Sequence, residues 1–464
     1  MNPTAELLQP EIEELIRNKR FADLRSAIHA LPYADLALIF AEIDPALAAV
    51  GFRLLPREDA AELFSYLDPE QQEALIGQFG NDHVREIFDE LGADDLAYLL
   101  EEMPSDIARR IVNTISPETR EAAQRLLGYP EESVGRLMTP DYIRLKIDWT
   151  VARALAHIRA YGRDAETINV VYIVDDHDKL VSDLKLRTLL LASPDAPLSD
   201  LQQNTPTSLF ADDDREEAVR AMAKYDRIAL PVVDHAGVLL GIVTSDDVAD
   251  VAEEEATEDI QKLAGVEALD EPYMDTPLLS MLKKRGIVLC TLLVAQSVTI
   301  GVLGAFEHVI SSVQILILFI PLIIASGGNS GTQVASLIIR ALALHELTPA
   351  DWLQVVRKEL VTGLLLGCLM GALATCSVMI WELTPMVDAT GVNPLKVGLT
   401  VGAAVQAIVV YAVLLGSILP LLLQKLKLDP ATISSPLVAT LMDVSGLMIY
   451  MGVALVMMKV VGLT

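Results

Sequence analysis

Asp443 stands inside the last long apolar stretch of the chain, Ser435 to Val461 (SPLVATLMDVSGLMIYMGVALVMMKVV). A carboxylate in a membrane-length segment is costly, so such a residue faces an aqueous path, an ion or a partner. Ala439 lies one helical turn earlier, where its carbonyl can face the same cavity. No Cys or His accompanies them, which disfavours a soft metal and favours a hard cation met by oxygen. The plain alternative is an Asp bonded to a neighbouring helix. A second set of carboxylates, Glu255, Glu258 and Asp259, falls at i, i+3 and i+4 in a helix expected over Val251 to Ala268. Like charges at these spacings cost a few tenths of a kcal/mol per pair. A cation that relieves the repulsion is the sharper explanation, and a solvated face the plainer one.

The elements that must position these groups divide the chain in two. The sequence is 464 residues long, 52% hydrophobic, with net charge −29. From Met281 onward ten Lys and Arg face eight Asp and Glu, leaving 25 against 56 in the preceding part, a net of −31 there. An acidic soluble half therefore precedes a nearly neutral membrane half. This charge argues against nucleic acid as a partner and suits cations. Cys290, Cys368 and Cys376 all lie in apolar segments, so neither a disulfide frame nor a CxxC site is indicated. The polar, acidic N-terminus lacks a signal-peptide layout.

Five apolar stretches, Ile287 to Phe306, Val313 to Ile339, Leu360 to Trp381, Val397 to Leu423 and Leu437 to Val461, approach or exceed the ~20 residues that span a bilayer core. Lys283, Lys284, Arg285, Arg340, Arg357, Lys358, Lys425 and Lys427 fall on one side of them. The positive-inside rule then places the acidic half in the cytoplasm and the C-terminus outside, in a multi-pass protein of the cell membrane. The second stretch carries Ser326-Gly327-Gly328-Asn329-Ser330-Gly331-Thr332-Gln333. Such residues permit close helix packing or unwind backbone around a cavity. Asn329 and Gln333, beside Gly327 and Gly328, favour a pore lining. Mg²⁺ keeps its waters and is held by one or two carboxylates, which suits a single Asp443 per chain better than a many-oxygen Ca²⁺ cage. Two chains paired about the pore would bring two such carboxylates to one divalent ion.

The acidic half begins with short helices, each expected where an acid or Ser precedes Pro: Asp44-Pro45, Asp68-Pro69 and Ser116-Pro117. They suggest stacked helical hairpins of irregular period. Glu62, Asp94 and Asp95 belong by default to a solvated face. VYIVDDHDKLV from Val171 then overlays LPVVDHAGVLL from Leu230 at an offset of 59 residues. Each is a strand, an Asp-containing turn, a strand and a helix. This duplicated β-α-β-β-α unit resembles a tandem CBS pair. GIVTSDDV, Gly241 to Val248, matches the CBS signature; the first copy carries Ser182, Lys185 and Thr188 at the corresponding positions. The resemblance makes Thr244 and Asp247, with Tyr172 and Arg187 opposite, candidates for holding ATP. Thr244 and Asp247 also have the spacing of a capping box, which accounts for both without a ligand.

The order of parts, with the strings EATEDIQKLAGVEALDEPY and GGNSGTQ and the final-span Asp, resembles the MgtE family of magnesium channels. That resemblance implies a superhelical acidic N-terminal domain over 1–130, an α/β CBS pair over 131–250, a connecting plug helix over 251–275 and a five-helix pore domain over 276–464. It implies a homodimer with the pore between subunits, and a hydrated Mg²⁺ at Asp443 and the Ala439 backbone. It also implies cytoplasmic Mg²⁺ sensors at Glu62, Asp94, Asp95, Asp214, Glu216, Asp226, Asp247, Asp250, Glu255, Glu258 and Asp259. Feedback gating follows, with scarce Mg²⁺ letting the acids part and plentiful Mg²⁺ bridging them shut. Rival readings are a Co²⁺ or Ni²⁺ carrier, a CBS-linked chloride channel, and a CBS-regulated membrane enzyme. For the last, His345-Glu346 begins an HE pair, but Pro349 stands where HExxH needs its second His. An acid in the path disfavours chloride, and no enzymatic role is expected.

Overall fold

The computed structural model describes residues 3–28, 30–201, 206–269, 273–274, 276–343, 346–382, 393–430 and 435–461. His345 of the HE pair and residues 270–272 of the connecting string lie outside them. The chain divides into two compact units, Met1–Glu253 and Glu254–Thr464.

Among the described residues the first unit opens with ten helices: α1 (Pro3–Arg17), α2 (Phe21–Ile28), α3 (Tyr33–Ala41), α4 (Pro45–Phe52), α5 (Arg57–Ser65), α6 (Pro69–Gln78), α7 (Asn81–Phe88), α8 (Ala93–Glu102), α9 (Ser105–Thr114) and α10 (Pro117–Leu126). From α3 to α10 each helix begins twelve residues after the previous one, so the period is strict where the sequence reading expects irregularity. The residues before these starts are Pro32, Asp44, Pro56, Asp68, Gly80, Gly92, Pro104 and Ser116. Because Pro, Asp, Gly and Ser begin helices for different physical reasons, the repeat is disguised as a mixture. The anticipated caps form. Asp44 accepts from the Ala46 N–H at 3.0 Å, Ser116 from the Thr119 N–H at 3.2 Å, and Asp68 makes a capping box with Gln71. Inside, Phe40, Phe52, Phe64, Ile76 and Phe88 recur on the same twelve-residue beat and are buried. Phe40–Phe52 and Phe64–Phe88 meet edge to face at 5.4 and 5.2 Å, each pair adding about 0.5–1.5 kcal/mol beyond its buried area.

After α11 (Val134–Leu137) come two copies of one small sheet. The first has β1 (Tyr142–Lys146), α12 (Val151–Tyr161), β2 (Thr167–Val174), β3 (Leu180–Lys185) and α13 (Leu186–Leu191). The second has β4 (Leu209–Phe210), α14 (Arg215–Tyr225), β5 (Ala229–Val233), β6 (Leu239–Thr244) and α15 (Ser245–Leu263). In each, the first strand runs parallel to the middle one and the third antiparallel to it. The 59-residue offset holds to the atom. Asp175 accepts from the His177 and Lys179 N–H groups as Asp234 does from those of Ala236 and Val238, all at 2.8–2.9 Å. Asp178 and Gly237 occupy the left-handed region at equivalent turn positions, φ 57° and 83°. The two turns bond to each other reciprocally, Leu180 N–H to Gly237 O and Leu239 N–H to Asp178 O, both 3.0 Å. Gly241 of the signature is needed because Thr139 pairs with Ile242, and a Cβ at 241 would lie 2.7 Å from Thr139 O.

One element differs from expectation. The helix expected over Val251 to Ala268 is the end of α15, which starts directly after β6 and stops at Leu263. It stops because Gly265 turns into the left-handed region at φ 76°. Gly265 N–H then bonds Lys262 O at 2.9 Å and Val266 N–H bonds Gln261 O at 3.0 Å, closing the free carbonyls.

The second unit holds five helical segments that are long and apolar enough to cross a bilayer among the described residues. They are Leu278–Ala305, formed by α16 (Leu278–Gln296) and α17 (Val298–Ala305); Gln314–Ala343, ending in α19 (Ile320–Ala343) after the short α18 (Glu307–Ser312); Pro349–Ile380, within which α20 (Trp352–Glu382) begins; Pro394–Lys425, which is α21; and Ser435–Val460, within α22 (Ser435–Val461). The α19, α21 and α22 helices form the buried core, closed by Ile323, Ile408, Val438, Met442 and Tyr450. Tyr450 donates its hydroxyl to Leu316 O at 2.8 Å, tying α22 to the turn before α19. Pro436 lies in the first turn of α22, where its missing N–H is no loss.

Candidate functional site

In the first unit, the start of α8, the start of α15 and the loop before β2 bring carboxylates together. Asp94 and Asp95 occupy the first turn of α8, Asp246 and Asp247 that of α15, and Glu166 ends the loop. Burial pushes the Asp94 carboxyl well above the ordinary carboxylate range, with Asp95, Asp247 and Glu166 adding repulsion. Burial also raises Asp95, against Asp246, and Glu166, against Asp246, Asp95, Asp141 and Glu62. Asp247 is pushed up to about 7, chiefly by burial. Its bond from Thr244 Oγ1, 2.6 Å to Oδ2, opposes that, and Asp246, Asp95 and Glu166 reinforce it. None of these five acids is ion-paired among the described residues. Nor do three ligating side chains converge into a finished metal cage among the described residues. The donors are all carboxylate oxygens, which fits a hard hydrated cation that keeps waters between itself and some ligands.

The remaining sensor candidates are spread out. Glu62 is exposed on α5 and reaches the cluster through its field on Glu166. Asp214 caps α14 by accepting from the Glu216 N–H at 2.9 Å, and Glu216 pairs with Arg220 at 3.2 Å. Asp226 closes the other end of α14 in the left-handed conformation, φ 48°, roughly 16 Å away. Asp250, one turn beyond Asp246, is raised by partial burial and then by Asp246 and Glu253. Asp250 thus adjoins the cluster along α15, whereas Asp214 and Asp226 stand at the two ends of α14. Of the nucleotide candidates, Thr244 and Asp247 are bonded to each other, Arg187 is exposed on α13, and Tyr172 is fully buried. Tyr172 packs edge-on to Tyr142 at 6.1 Å, and its hydroxyl has no hydrogen-bond partner among the described residues.

In the second unit, the far end of α15 carries Glu255, Glu258 and Asp259, all half-buried. Burial raises Asp259, with Asp429, Glu255 and Glu258 adding to it and Lys262 opposing. Lys262 bonds Glu258 at 2.7 Å and Asp429 at 3.1 Å. Burial works against its charge, but these two carboxylates outweigh burial and hold the ammonium above its ordinary range. Asp429, in the loop between α21 and α22, was not among the sequence candidates; only the fold brings it to α15.

Deeper in this unit, α22 is unbroken, so Ala439 O accepts the Asp443 N–H in the helical ladder and keeps one lone pair for another donor or ion. Asp443 is half-buried, and its Oδ2 accepts from Gln296 Nε2 at 2.7 Å. The expectation that Gly327 and Gly328 line an aqueous path requires correction. The α19 helix runs unbroken through them, and both are buried. A Cβ at Gly327 would lie 2.7 Å from Ile408 and 2.9 Å from Met442, and one at Gly328 would touch Ala439 at 3.8 Å. They are close-packing positions, while Asn329 and Gln333 are exposed on α19. The hydroxyls nearby fold back on the helix, Ser326 to Leu322 O and Ser330 to Ser326 O at 2.7 and 2.8 Å.

Sequence profiles agree with this arrangement. The MgtE profile, described as a divalent cation transporter, matches residues 320–453; the MgtE intracellular N domain matches 31–132; and the CBS domain matches 134–195 and 198–254. Over 353 residues, 76% of each chain, the sequence is 40% identical to a magnesium transporter MgtE of Thermus thermophilus. The chain belongs to the MgtE family. It is also 33% identical to a magnesium transporter MgtE of Enterococcus faecalis over 336 residues, 72% of this chain and 71% of that one. Among solved structures, the soluble part of a magnesium transporter matches with TM-score 0.52 at 25% identity, covering 54% of this chain and 99% of that one. The cytosolic domain of the Mg²⁺ channel MgtE in complex with ATP matches with TM-score 0.50 at 35% identity, covering 53% and 100%.

Proposed function

We propose that this magnesium transporter is a homodimeric, Mg²⁺-selective channel that imports Mg²⁺ through the cell membrane and is closed by Mg²⁺ on its cytoplasmic side. The observation that carries the gating reading is the crowded group of Asp94, Asp95, Asp246, Asp247 and Glu166, raised by burial and by one another with no basic partner among the described residues. Such a group stores repulsion that a divalent cation relieves, and the relief favours whichever arrangement brings the acids together. Asp443, with the Ala439 carbonyl, is the ion site in the path, and exposed Asn329 and Gln333 border it. The basic residues on one side of the spans support a cytoplasmic acidic half and an outside C-terminus. The activity is transport, with no catalytic residue assigned.

Mg²⁺ flux into proteoliposomes tests both parts. Asp443→Ala is expected to abolish selective uptake; a variant with normal uptake and normal rejection of Ca²⁺ would remove Asp443 from the path. Millimolar Mg²⁺ on the cytoplasmic face is expected to suppress flux, and unaltered flux would sink the gating reading. A nucleotide at the CBS pair is a second occupant, supported by the ATP bound to a similar cytosolic domain and by the paired Thr244 and Asp247. Thr244→Val should weaken ATP binding measured by calorimetry.

A further inference from the structure

Gln296 is a side-chain amide at the end of α16, in a span that exposes Leu289, Leu293, Val294, Val298 and Ile300. Packing within this chain does not explain an amide there, since Gln296 is exposed and the segment's apolar window buries none of its residues. Its Nε2 donates to Asp443 Oδ2 at 2.7 Å, across 147 residues of sequence. The amide sits where α16 gives way to α17 at Ser297, and the Gln296 carbonyl accepts from Thr299 Oγ1 at 2.6 Å. Its side-chain Oε1 makes no hydrogen bond among the described residues.

We propose that Gln296 is a specificity-determining residue for Mg²⁺ passage, fixing the Asp443 carboxylate through Nε2 and offering Oε1 to the water shell of the ion. This rests on the reading of Asp443 as the ion site. Held at Oδ2, the carboxylate keeps one orientation and leaves Oδ1 to the cation. A neutral amide achieves this without cancelling the negative charge, as Lys or Arg would. The waters of Mg²⁺ stay bound and point their hydrogens outward, where an amide oxygen accepts them. A Ca²⁺ ion, with a larger and less rigid shell, meets that acceptor at the wrong distance.

The experiment measures Mg²⁺ and Ca²⁺ flux by the full chain in proteoliposomes for Gln296→Leu, Gln296→Asn and Asp443→Ala. Gln296→Leu is expected to raise half-saturating Mg²⁺ about tenfold and to lower the Mg²⁺-over-Ca²⁺ ratio by a similar factor, the size of one lost bond to a charged group. Retained closure by cytoplasmic Mg²⁺ would show that the fold is intact, because a merely structural loss would disturb both properties. Gln296→Asn keeps the amide but withdraws it by a methylene, so it should fall between parent and Gln296→Leu, and it provides the measurement where Gln296→Leu does not fold. If Asp443→Ala loses transport while both Gln296 variants keep parental selectivity and half-saturation, the Gln296 proposal alone is overturned. If Asp443→Ala transports like the parent, the ion-site reading falls and takes the proposal with it.

Discussion

Asp247 shows how one residue couples chemistry to fold. Its carboxyl is pushed up to about 7 by burial first and by Asp246, Asp95 and Glu166 besides, so its ionised form is the strained one. The folded value lies above the unfolded one. The folded state therefore binds the proton first as pH falls, and stability rises from about pH 8 towards pH 4. The gain is on the order of 2 kcal/mol once solvent screening is allowed for. Thermal unfolding of the protein without Mg²⁺ should accordingly show a higher midpoint at pH 5.5 than at pH 8. Asp247→Asn should raise the midpoint at pH 8 and flatten that slope. Millimolar Mg²⁺, which needs the ionised acids, should stabilise more at pH 8 than at pH 5.5; equal stabilisation at both would exclude this group as a Mg²⁺ site.

At the scale of elements, two contacts decide how helices meet. Gly416 of α21 crosses Gly331 of α19 so closely that any Cβ would strike the Gly331 carbonyl, and backbone cannot step aside. Gly416→Leu is therefore expected to cost about 3 kcal/mol or more, or to prevent folding, read as lost thermal stability in detergent. Gly452→Ala in α22, with nothing within 4 Å of the added carbon, should leave that midpoint nearly unchanged. On α15, Lys262 lies between Glu258 and Asp429, acting as a built-in counter-ion for carboxylates beside Asp259. Lys262→Gln leaves these acids facing one another. Closure should then depend more steeply on cytoplasmic Mg²⁺, seen as a higher Hill slope in flux assays, whereas an unchanged slope would make the ion pair purely structural.

For the whole molecule, weak sites act together through linkage. On the proposed gating, each Mg²⁺ site would stabilise the closed arrangement by RT ln(1 + [Mg²⁺]/Kd), so several sites near their Kd add up where one alone gives only tenths of a kcal/mol. Protease resistance of the intact chain should increase over the same Mg²⁺ range that suppresses flux. Protection that saturates at a tenth of that concentration would separate the sensing acids from gating. The division of charge, −31 before Met281 and +2 from Met281 onward, separates an acidic region from a nearly neutral, membrane-length one in a single chain.

Local chemistry was enough for much of this. The five spans follow from their length and apolarity, the CBS duplication from its 59-residue offset, and the caps at Asp44, Asp68 and Ser116 from residue type. Asp443 announces itself through the cost of a carboxylate in an apolar run. The twelve-residue helical beat was present in the sequence as Pro, Asp, Gly and Ser at one phase, but several different helix starters concealed it. Tertiary structure decided the rest, because sequence separation carries no distance. Nothing near Glu166 or Asp429 in sequence marks either as the neighbour of a distant acidic helix end. The lone amide of Gln296 was visible, yet only folding brings it to Asp443. Gly327 and Gly328 of α19 read in sequence as a pore lining, and only the approach of α21 and α22 to within reach of a single Cβ makes them packing positions. Helix faces and strand pairs are short-range properties of the chain, whereas an ion site is assembled from groups that only the packed backbone makes adjacent.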